Sequence, residues 1–272
     1  MPSTTAGKKR KAADTKMWGS SPSTSSNNSI RRGNGSKGAV GGGGGGGSRR
    51  GGGAGLLGSS GSSAISDSEA EKLFEELCDD DNPDAVSTDG ICKLCERLDL
   101  DPLEDVRVLV LLWKMGANKK PQEIQKEEWM AGCRKLQLDS IDTFIRFLPQ
   151  LDTGFMDNEE FGDFYKFCFQ FNRAGTHKTL DKDLVVLLLK MCLAGGRIDP
   201  ERLDTFCDFL ESTVDENYSK ITLDQWRSFL DFSHEHPTSE SLLGYDEGES
   251  AWPVLIDEYC EYMAKKMGKE KK

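Results

Sequence analysis

An abrupt change of composition near residue 66 limits which part of this chain can fold. Residues 1–66 hold 18 of the 29 glycines, including an unbroken run from Gly41 to Gly47, and serine fills much of the remainder. A segment with so few apolar residues buries too little surface to offset the entropy lost when its backbone is ordered. We therefore predict a disordered Gly/Ser-rich basic tail over residues 1–66 and a folded domain over residues 67–272.

Apolar residues beyond Ser66 recur at intervals of three and four, which places them on one face of an α-helix. Residues 106–115 are apolar on nearly every side, as in a buried central helix ended by Gly116. No stretch alternates convincingly with period two, so the sequence predicts an all-α domain. Helix starts are predicted at Ser68 with Glu71, Thr88, Asp101 with Pro102, Asp199 with Pro200, Thr222 with Gln225, and near Ser250 with Pro253 in the first turn.

The two parts of the chain carry opposite charge. Residues 1–66 contain ten Lys or Arg and one acidic residue, so they carry +9 and the remainder of a chain whose total is −11 carries −20. An acidic domain argues against nucleic acid as ligand and favours a basic protein surface. Because no signal peptide or 18-residue apolar run is present, we expect no membrane segment and a location in the nucleus and cytoplasm. The cluster at residues 8–11 is either a nuclear-import signal or an unspecific basic tail.

The acidic run from Asp79 to Asp84, between two predicted helices, suggests a calcium loop. Such a loop needs a glycine at its sixth position and a bidentate glutamate at its twelfth. Counted from Asp79, these positions hold Asp84 and Gly90. The sequence therefore favours a solvated connector without metal, and a calcium-responsive helical interaction module remains the alternative.

Eight cysteines lie at positions 78, 92, 95, 133, 168, 192, 207 and 260, mostly inside apolar helical patterns. Cys92 and Cys95 have the spacing of a redox pair or half a zinc site, but no strand pattern or nearby histidine completes either. Reduced thiols that pack as small apolar groups are the simpler interpretation. We predict no metal, no cofactor and no catalytic residue. A small thiol enzyme is the competing hypothesis that these cysteines leave open.

Three motifs in the C-terminal third indicate a family. Asp224-Gln225-Trp226, Leu230-Asp231-Phe232 and Tyr245-Asp246-Glu247 leading to Ala251-Trp252-Pro253-Val254-Leu255-Ile256-Asp257-Glu258 resemble the defective-in-cullin-neddylation family and its potentiating-neddylation domain. Shorter matches, such as Asp89-Gly90-Ile91 and Glu128-Trp129-Met130, lie earlier in the chain and occur in the same order as in the family. The resemblance spans residues 85–265, roughly the whole predicted domain.

The resemblance implies a non-catalytic, scaffold-type co-ligase with EF-hand-like helix pairs that need no metal. Such a protein binds the winged-helix region at the cullin C-terminus and the acetylated N-terminus of the neddylation conjugating enzyme, and so activates cullin-RING ligase complexes. By motif position the cullin-binding residues are Asp224, Ala251 and Asp257. The acetylated-tail pocket maps to Ile91, Val108, Leu111, Leu112, Met115, Ile124, Phe171, Leu188 and Met191.

Most of these residues also have a simpler interpretation. Asp224 follows the helix cap Thr222 by two residues, so a favourable interaction with the helix dipole explains it. Asp257 lies four residues before Glu261, a repulsive spacing that local helix stability does not explain. The nine apolar residues assigned to the pocket have the pattern of an ordinary core.

Overall fold

The computed structural model describes residues 65–213, 216–246, 248 and 251–268. Almost all of the predicted tail, including the basic cluster at residues 8–11, lies outside the described residues. The described part contains α1 (Asp67–Leu77), α2 (Thr88–Leu98), α3 (Arg107–Met115), α4 (Lys126–Leu136), α5 (Ile141–Phe147), α6 (Asn158–Phe171), α7 (Lys182–Leu193), α8 (Pro200–Ser212), α9 (Leu223–Glu235) and α10 (Val254–Lys266). The prediction of an all-α domain is confirmed.

Four very short strands connect helix pairs. They are β1 (Ala85–Val86), β2 (Ile124–Gln125), β3 (Thr179–Asp181) and β4 (Lys220–Thr222). β1 pairs antiparallel with β2, and β3 pairs antiparallel with β4. Each strand lies just before a helix, so each ribbon joins two helix–loop–helix units. The expectation that these units are EF-hand-like stays a prediction.

Several helix boundaries follow the capping signals in the sequence. Asp199 caps α8 by accepting a hydrogen bond from the Arg202 backbone N–H at 3.2 Å, and proline occupies the first turn. Thr222 and Gln225 form the expected reciprocal capping box of α9. Gly116 ends α3 with a φ of +84°, a conformation that disfavours side chains with a Cβ.

The predicted start of α1 was two residues too late. The Ser66 hydroxyl, rather than that of Ser68, caps the helix by accepting a hydrogen bond from the Glu69 N–H at 3.3 Å. Glu71 pairs with Lys126 of α4 at 2.7 Å instead of closing a capping box. The Glu71 side chain, which the local pattern had assigned to the helix cap, therefore forms a tertiary ion pair with Lys126 instead.

The predicted helix start at Asp101 and Pro102 was also wrong. The Asp101 carboxylate accepts from the Leu103 N–H at 2.8 Å and its carbonyl accepts from the Asp105 N–H at 2.9 Å, so the segment closes as a turn. Helix α3 begins only at Arg107. A side chain that bonds its own backbone two residues on competes with helix formation at this point.

The last helix begins at Val254, after the position predicted from Ser250. Pro253 is its N-cap, with an extended ψ of 147°, rather than a residue of the first turn. A proline disfavours the helical conformation of the residue before it, so Trp252 cannot belong to the helix. The segment 251–253 is consequently an extended arm that leads into α10.

The core of the described domain is continuous and rich in aromatic residues. Trp129 and Trp226 are each 1% exposed or less. The Trp129 indole N–H donates to the Ala70 carbonyl at 3.0 Å, and the Trp226 indole N–H donates to the Tyr165 carbonyl at 2.9 Å. These bonds satisfy the one polar atom of each indole, which is the condition for burying it at low cost. None of the helices in the described residues is long and apolar enough to span a membrane.

Candidate functional site

Asp257 lies in the first turn of α10, where its side chain is half-buried. The Tyr245 hydroxyl donates a hydrogen bond to Oδ1 of Asp257. The Tyr245 ring packs edge-on against Phe232, at 5.8 Å between centroids, and against His236, at 6.0 Å. Edge-to-face contacts are a preferred geometry of aromatic pairs. They hold the hydroxyl in place and, through it, orient the carboxylate.

A buried arginine fixes the chain segment that leads to Tyr245. Arg202 is 2% exposed, and its guanidinium donates to the carbonyls of His236 at 2.7 Å and Thr238 at 2.8 Å. It also donates to the Tyr259 hydroxyl at 3.4 Å and lies 5.5 Å from the centre of the Phe232 ring. Because a buried cation is costly without polar partners, this network ties the end of α9 to α8 and α10.

The other two predicted cullin-binding residues are accessible. Asp224 is exposed in the first turn of α9, and Ala251 is exposed in the extended arm before α10. Helices α9 and α10 pack against each other. No hydrogen bond or ion pair in the described part joins Asp224 to Asp257, so the two carboxylates are independent groups.

A cleft between α8 and α10 extends from Asp257. It has a volume of about 590 Å³, and its lining includes Val254, Glu258, Glu261, Tyr262 and Lys265, whose ammonium lies 3.8 Å from the Glu261 carboxylate. The Val254 side chain is 64% exposed although it is apolar. A surface that places carboxylates beside an exposed apolar group suits a partner that presents a cation next to an apolar side chain.

The nine residues predicted for the acetylated-tail pocket are all buried. Met191 is the most exposed of them at 8%, and the other eight are between 0% and 3% exposed. They belong to one continuous apolar core. Such burial is what the core interpretation expects, and a closed pocket lined by the same residues would look the same. Their assignment to a binding pocket stays a prediction.

Two surface openings reach members of this set. Phe171 lines a cavity of about 120 Å³ that is bounded by Phe167, Gln170, Arg173 and the loop 117–121. Met191 lines a cleft of about 730 Å³ between the start of α3 and residues 148–153. Of the nine predicted pocket residues, Phe171 and Met191 therefore line cavities at the surface. The other seven are buried in the core.

A buried glutamate shapes the loop that borders the smaller cavity. Glu128 is 7% exposed, and its carboxylate accepts from the backbone N–H groups of Asn118 at 3.0 Å, Lys119 at 2.8 Å and Gln125 at 3.0 Å. The Gln122 N–H also donates to the Phe171 carbonyl at 2.8 Å. The loop is thus bonded to both α4 and the end of α6.

Sequence reasoning gave no role to Arg202 or Glu128 and treated Tyr245 only as part of a motif. A signal for Arg202 was present, because Arg202, Phe206 and Phe209 share one helical face, and a cation on an apolar face indicates a buried polar network. The partners of Tyr245 and Glu128 leave no comparable pattern. The Tyr245 hydroxyl reaches a side chain of α10, and Glu128 reaches the backbone of Asn118 and Lys119, so these contacts depend on the tertiary fold.

The acidic connector after α1 is engaged internally. Asp79 accepts a hydrogen bond from the Ser87 hydroxyl and lies 3.7 Å from the Lys93 ammonium. Within the described residues, no group of three or more His, Cys, Asp or Glu side chains is arranged to hold a metal ion. These internal partners give no support to the calcium-responsive alternative.

All eight cysteines are free thiols, and six of them are buried. Burial raises the pKa of the Cys95, Cys133 and Cys207 thiols to about 12. Burial also raises the pKa of the half-buried Cys78 and Cys92. Since the thiolate is the nucleophile, these environments disfavour the thiol-enzyme hypothesis.

Comparison with known proteins supports the predicted family and the predicted cullin partner. A family model described as cullin binding matches residues 143–262, a range that contains Asp224, Ala251 and Asp257. The chain is 33% identical over 199 residues to human DCN1-like protein 4, a match that covers 73% of this chain. It spans 64% of the length of that relative, slightly less than two thirds.

Two further relatives are covered more fully. The chain is 32% identical over 203 residues to human DCN1-like protein 5, which covers 75% of this chain and 80% of that protein. It is 30% identical over 190 residues to Drosophila melanogaster DCN1-like protein 4, which covers 70% of this chain and 72% of that protein. These matches include most of the helical domain described above.

Proposed function

Because this chain belongs to the DCN1-like family of cullin-binding proteins, we propose that it is a non-catalytic adaptor for cullin neddylation. The adaptor binds the C-terminal winged-helix region of a cullin together with the neddylation conjugating enzyme. Conjugation of the ubiquitin-like modifier then activates the cullin-RING ligase complex. The observation that carries this proposal is the cullin-binding match over residues 143–262, and we assign the contact within it to a proposed acidic surface of Asp224, Ala251 and Asp257.

Charge and shape both support a basic partner at this surface. The part of the chain after residue 66 carries a net charge of −20, which speeds association with a basic surface and selects against acidic ones. The small side chain of Ala251 lets a partner backbone or long cation approach closely. The exposed Val254 adds an apolar contact beside the carboxylates.

Positioning, rather than covalent chemistry, accounts for the proposed rate effect. Holding the charged conjugating enzyme next to the acceptor lysine converts a bimolecular encounter into a near-unimolecular step. The raised pKa values of Cys95, Cys133 and Cys207 keep these thiols protonated near neutral pH. The adaptor therefore needs no thioester of its own.

The conjugating enzyme is proposed to bind through its acetylated N-terminus. Acetylation removes the ammonium charge, which would be costly to bury in an apolar pocket. The cavity beside Phe171 supports an entry point at the loop 117–121, since it leads from solvent to one edge of the predicted pocket set.

The experiment measures binding and rate with the same proteins. The full chain is titrated with a purified cullin C-terminal domain, and cullin conjugation by the charged conjugating enzyme is followed with and without the chain. We expect saturable binding with a dissociation constant of about 1 μM or tighter, as for a specific interface. We also expect a faster conjugation rate. Absence of both would contradict the proposal.

A further inference from the structure

We infer that Tyr245 is a positioning residue for the cullin contact, because it orients the Asp257 carboxylate before the partner arrives. The inference rests on the proposed function and assigns a role within that same surface. The Tyr245 hydroxyl donates to Oδ1 of Asp257, which leaves Oδ2 available to a cation from the partner. Both side chains are half-buried, so this contact is neither fully solvated nor closed to an incoming side chain.

Tyr245 is itself held on several sides. Its ring meets Phe232 at an interplanar angle of 87° and His236 at 85°. Its backbone N–H donates to the Leu242 carbonyl at 3.2 Å. Trp252, in the arm before α10, packs edge-on against the same Phe232 ring at 5.6 Å. Because ring and backbone are both anchored, the hydroxyl is a fixed donor rather than a mobile one.

The backbone beneath this aromatic group is fixed by Arg202. Its guanidinium bonds to the carbonyls of His236 and Thr238, which directly follow the end of α9. The Tyr245 ring rests against the His236 ring from that same segment. A continuous series of contacts thus runs from a buried cation in α8 to the surface carboxylate of Asp257.

Asp224 provides an internal comparison. It is exposed, and no hydrogen bond to its side chain is found in the part of the chain that the structure describes. An acid without such a donor loses rotamer freedom when a partner fixes it, whereas Asp257 has lost most of that freedom already. The two carboxylates are therefore expected to respond differently to removal of the Tyr245 hydroxyl.

A double-mutant cycle isolates this role from a general structural one. The full chain, Tyr245→Phe, Asp257→Asn and the double variant are each titrated with the cullin C-terminal domain. We expect Tyr245→Phe to weaken binding about threefold to tenfold, because the Asp257 carboxylate must then lose its rotamer freedom when the partner binds. In the Asp257→Asn background the same substitution has little further effect.

Matched cycles and controls complete the design. Tyr245→Phe combined with Asp224→Asn should be additive, because the structure places no bond between those two side chains. Tyr218→Phe removes another tyrosine hydroxyl, at the turn before β4, and should leave cullin binding unchanged. Melting temperatures of all variants show that the fold is intact, since phenylalanine preserves the ring that packs on Phe232.

The outcomes separate two kinds of failure. If the unmodified chain does not bind the cullin domain, the proposed function fails and this inference fails with it. If the chain binds and Asp257→Asn weakens binding, but Tyr245→Phe has no effect or acts equally in both backgrounds, only the positioning role is overturned. Coupling that is confined to the Tyr245–Asp257 pair supports it.

Discussion

Tyr165 and Trp226 exchange two hydrogen bonds across the interface of α6 and α9. The Trp226 indole donates to the Tyr165 carbonyl at 2.9 Å, and the Tyr165 hydroxyl donates to the Trp226 carbonyl at 3.1 Å. Their rings stack at 4.2 Å with an interplanar angle of 14°. Since burial raises the pKa of Tyr165 well above its ordinary value, the hydroxyl remains a donor. This pair fixes the helix whose first turn carries Asp224.

Tyr165→Phe tests how much the hydrogen bond from the Tyr165 hydroxyl to the Trp226 carbonyl stabilises the fold. The substitution keeps the stacked ring and removes one hydrogen bond in a fully buried setting, so we expect a loss of about 1 kcal/mol in the free energy of unfolding. Urea denaturation followed by circular dichroism measures it. Tyr262→Phe, at a half-buried position of α10, should change stability by less than about 0.5 kcal/mol. Equal losses of stability in the two variants would contradict a stabilising role for the buried Tyr165 hydrogen bond.

Arg202→Met tests the buried network below the candidate site. Methionine has a similar length but leaves the His236 and Thr238 carbonyls without their guanidinium donor. We expect a loss of about 2–4 kcal/mol in the free energy of unfolding, because unsatisfied buried polar groups are costly. Arg202→Lys should recover only part of this, since an ammonium lacks the planar fork. Arg227→Met, on the exposed face of α9, is the control in the same urea titration. If it lost as much stability as Arg202→Met, the loss could not be attributed to the buried hydrogen bonds of Arg202.

Local signals explain which parts of the fold were predictable. The caps at Asp199 and Thr222 and the glycine at Gly116 act within one helical turn, so residue type and spacing suffice. The ribbons were missed because β1 and β2 are two residues long and pair Val86 with Ile124, a contact far apart in sequence. The true start of α1 is at the Ser66 cap, and Glu71 pairs instead with Lys126 of α4, a contact that only the assembled helices create.

The candidate site also has a part that the sequence predicted and a part that only the structure shows. Residue patterns alone gave Asp224 and Asp257 no special role, and family resemblance supplied it. Their accessible positions are now visible, but the donor that orients Asp257 is Tyr245, which reaches it from a different segment. Arg202 acts over a still longer separation, through carbonyls more than thirty residues away in sequence. Such tertiary hydrogen bonds have no period or spacing that a sequence pattern could reveal.

Thiol chemistry gives a further prediction. At pH 8 an alkylating reagent should modify Cys78 and Cys92, which are half-buried, before the six buried cysteines. Burial raises the pKa of Cys95 to about 12, so its thiolate fraction at that pH is very small. Mass spectrometry of time points gives the order, and labelling in urea shows that all eight thiols can react. In a neddylation reaction the chain should carry no adduct that reducing agents remove; a reducible adduct would favour a transferring enzyme.

Charge reversal at the acidic surface tests cullin binding directly. Ala251→Arg combined with Asp257→Lys places two cations where the proposal requires a basic partner to dock. We expect binding of the cullin domain to fall below detection, because like-charge contacts cost several kcal/mol at an interface. The helical circular dichroism spectrum should be unchanged. Unaltered affinity would remove both residues from the site.

A control on another face makes the charge comparison fair. Ala131 in α4 and Asp142 in α5 are both exposed. Ala131→Arg with Asp142→Lys therefore produces the same change of net charge away from α9 and α10. We expect this variant to bind the cullin domain within about twofold of the unmodified chain at physiological salt, where screening limits distant charges. A comparable loss in both double variants would mean that net charge alone governs binding.

The last prediction concerns the acetylated tail. An N-terminal peptide of the conjugating enzyme should bind the full chain at least about tenfold more tightly when acetylated, a difference of about 1.4 kcal/mol. The reason is that burying an unpaired ammonium in an apolar pocket costs several kcal/mol, whereas the acetyl group and the methionine side chain gain from burial. Calorimetric titration of both peptides measures the difference.

Two variants locate that pocket. Gln170 is half-buried at the mouth of the cavity beside Phe171, so Gln170→Arg should weaken binding of the acetylated peptide while the melting temperature is kept. Leu111 is 2% exposed, so Leu111→Arg is expected to lower the melting temperature as well as affinity. Gln125→Arg, at a half-buried position outside the cavity lining, controls for added charge on the same half of the domain. Equal affinity for the two peptides, or normal binding by Gln170→Arg, would place the tail elsewhere and leave the nine apolar residues as core.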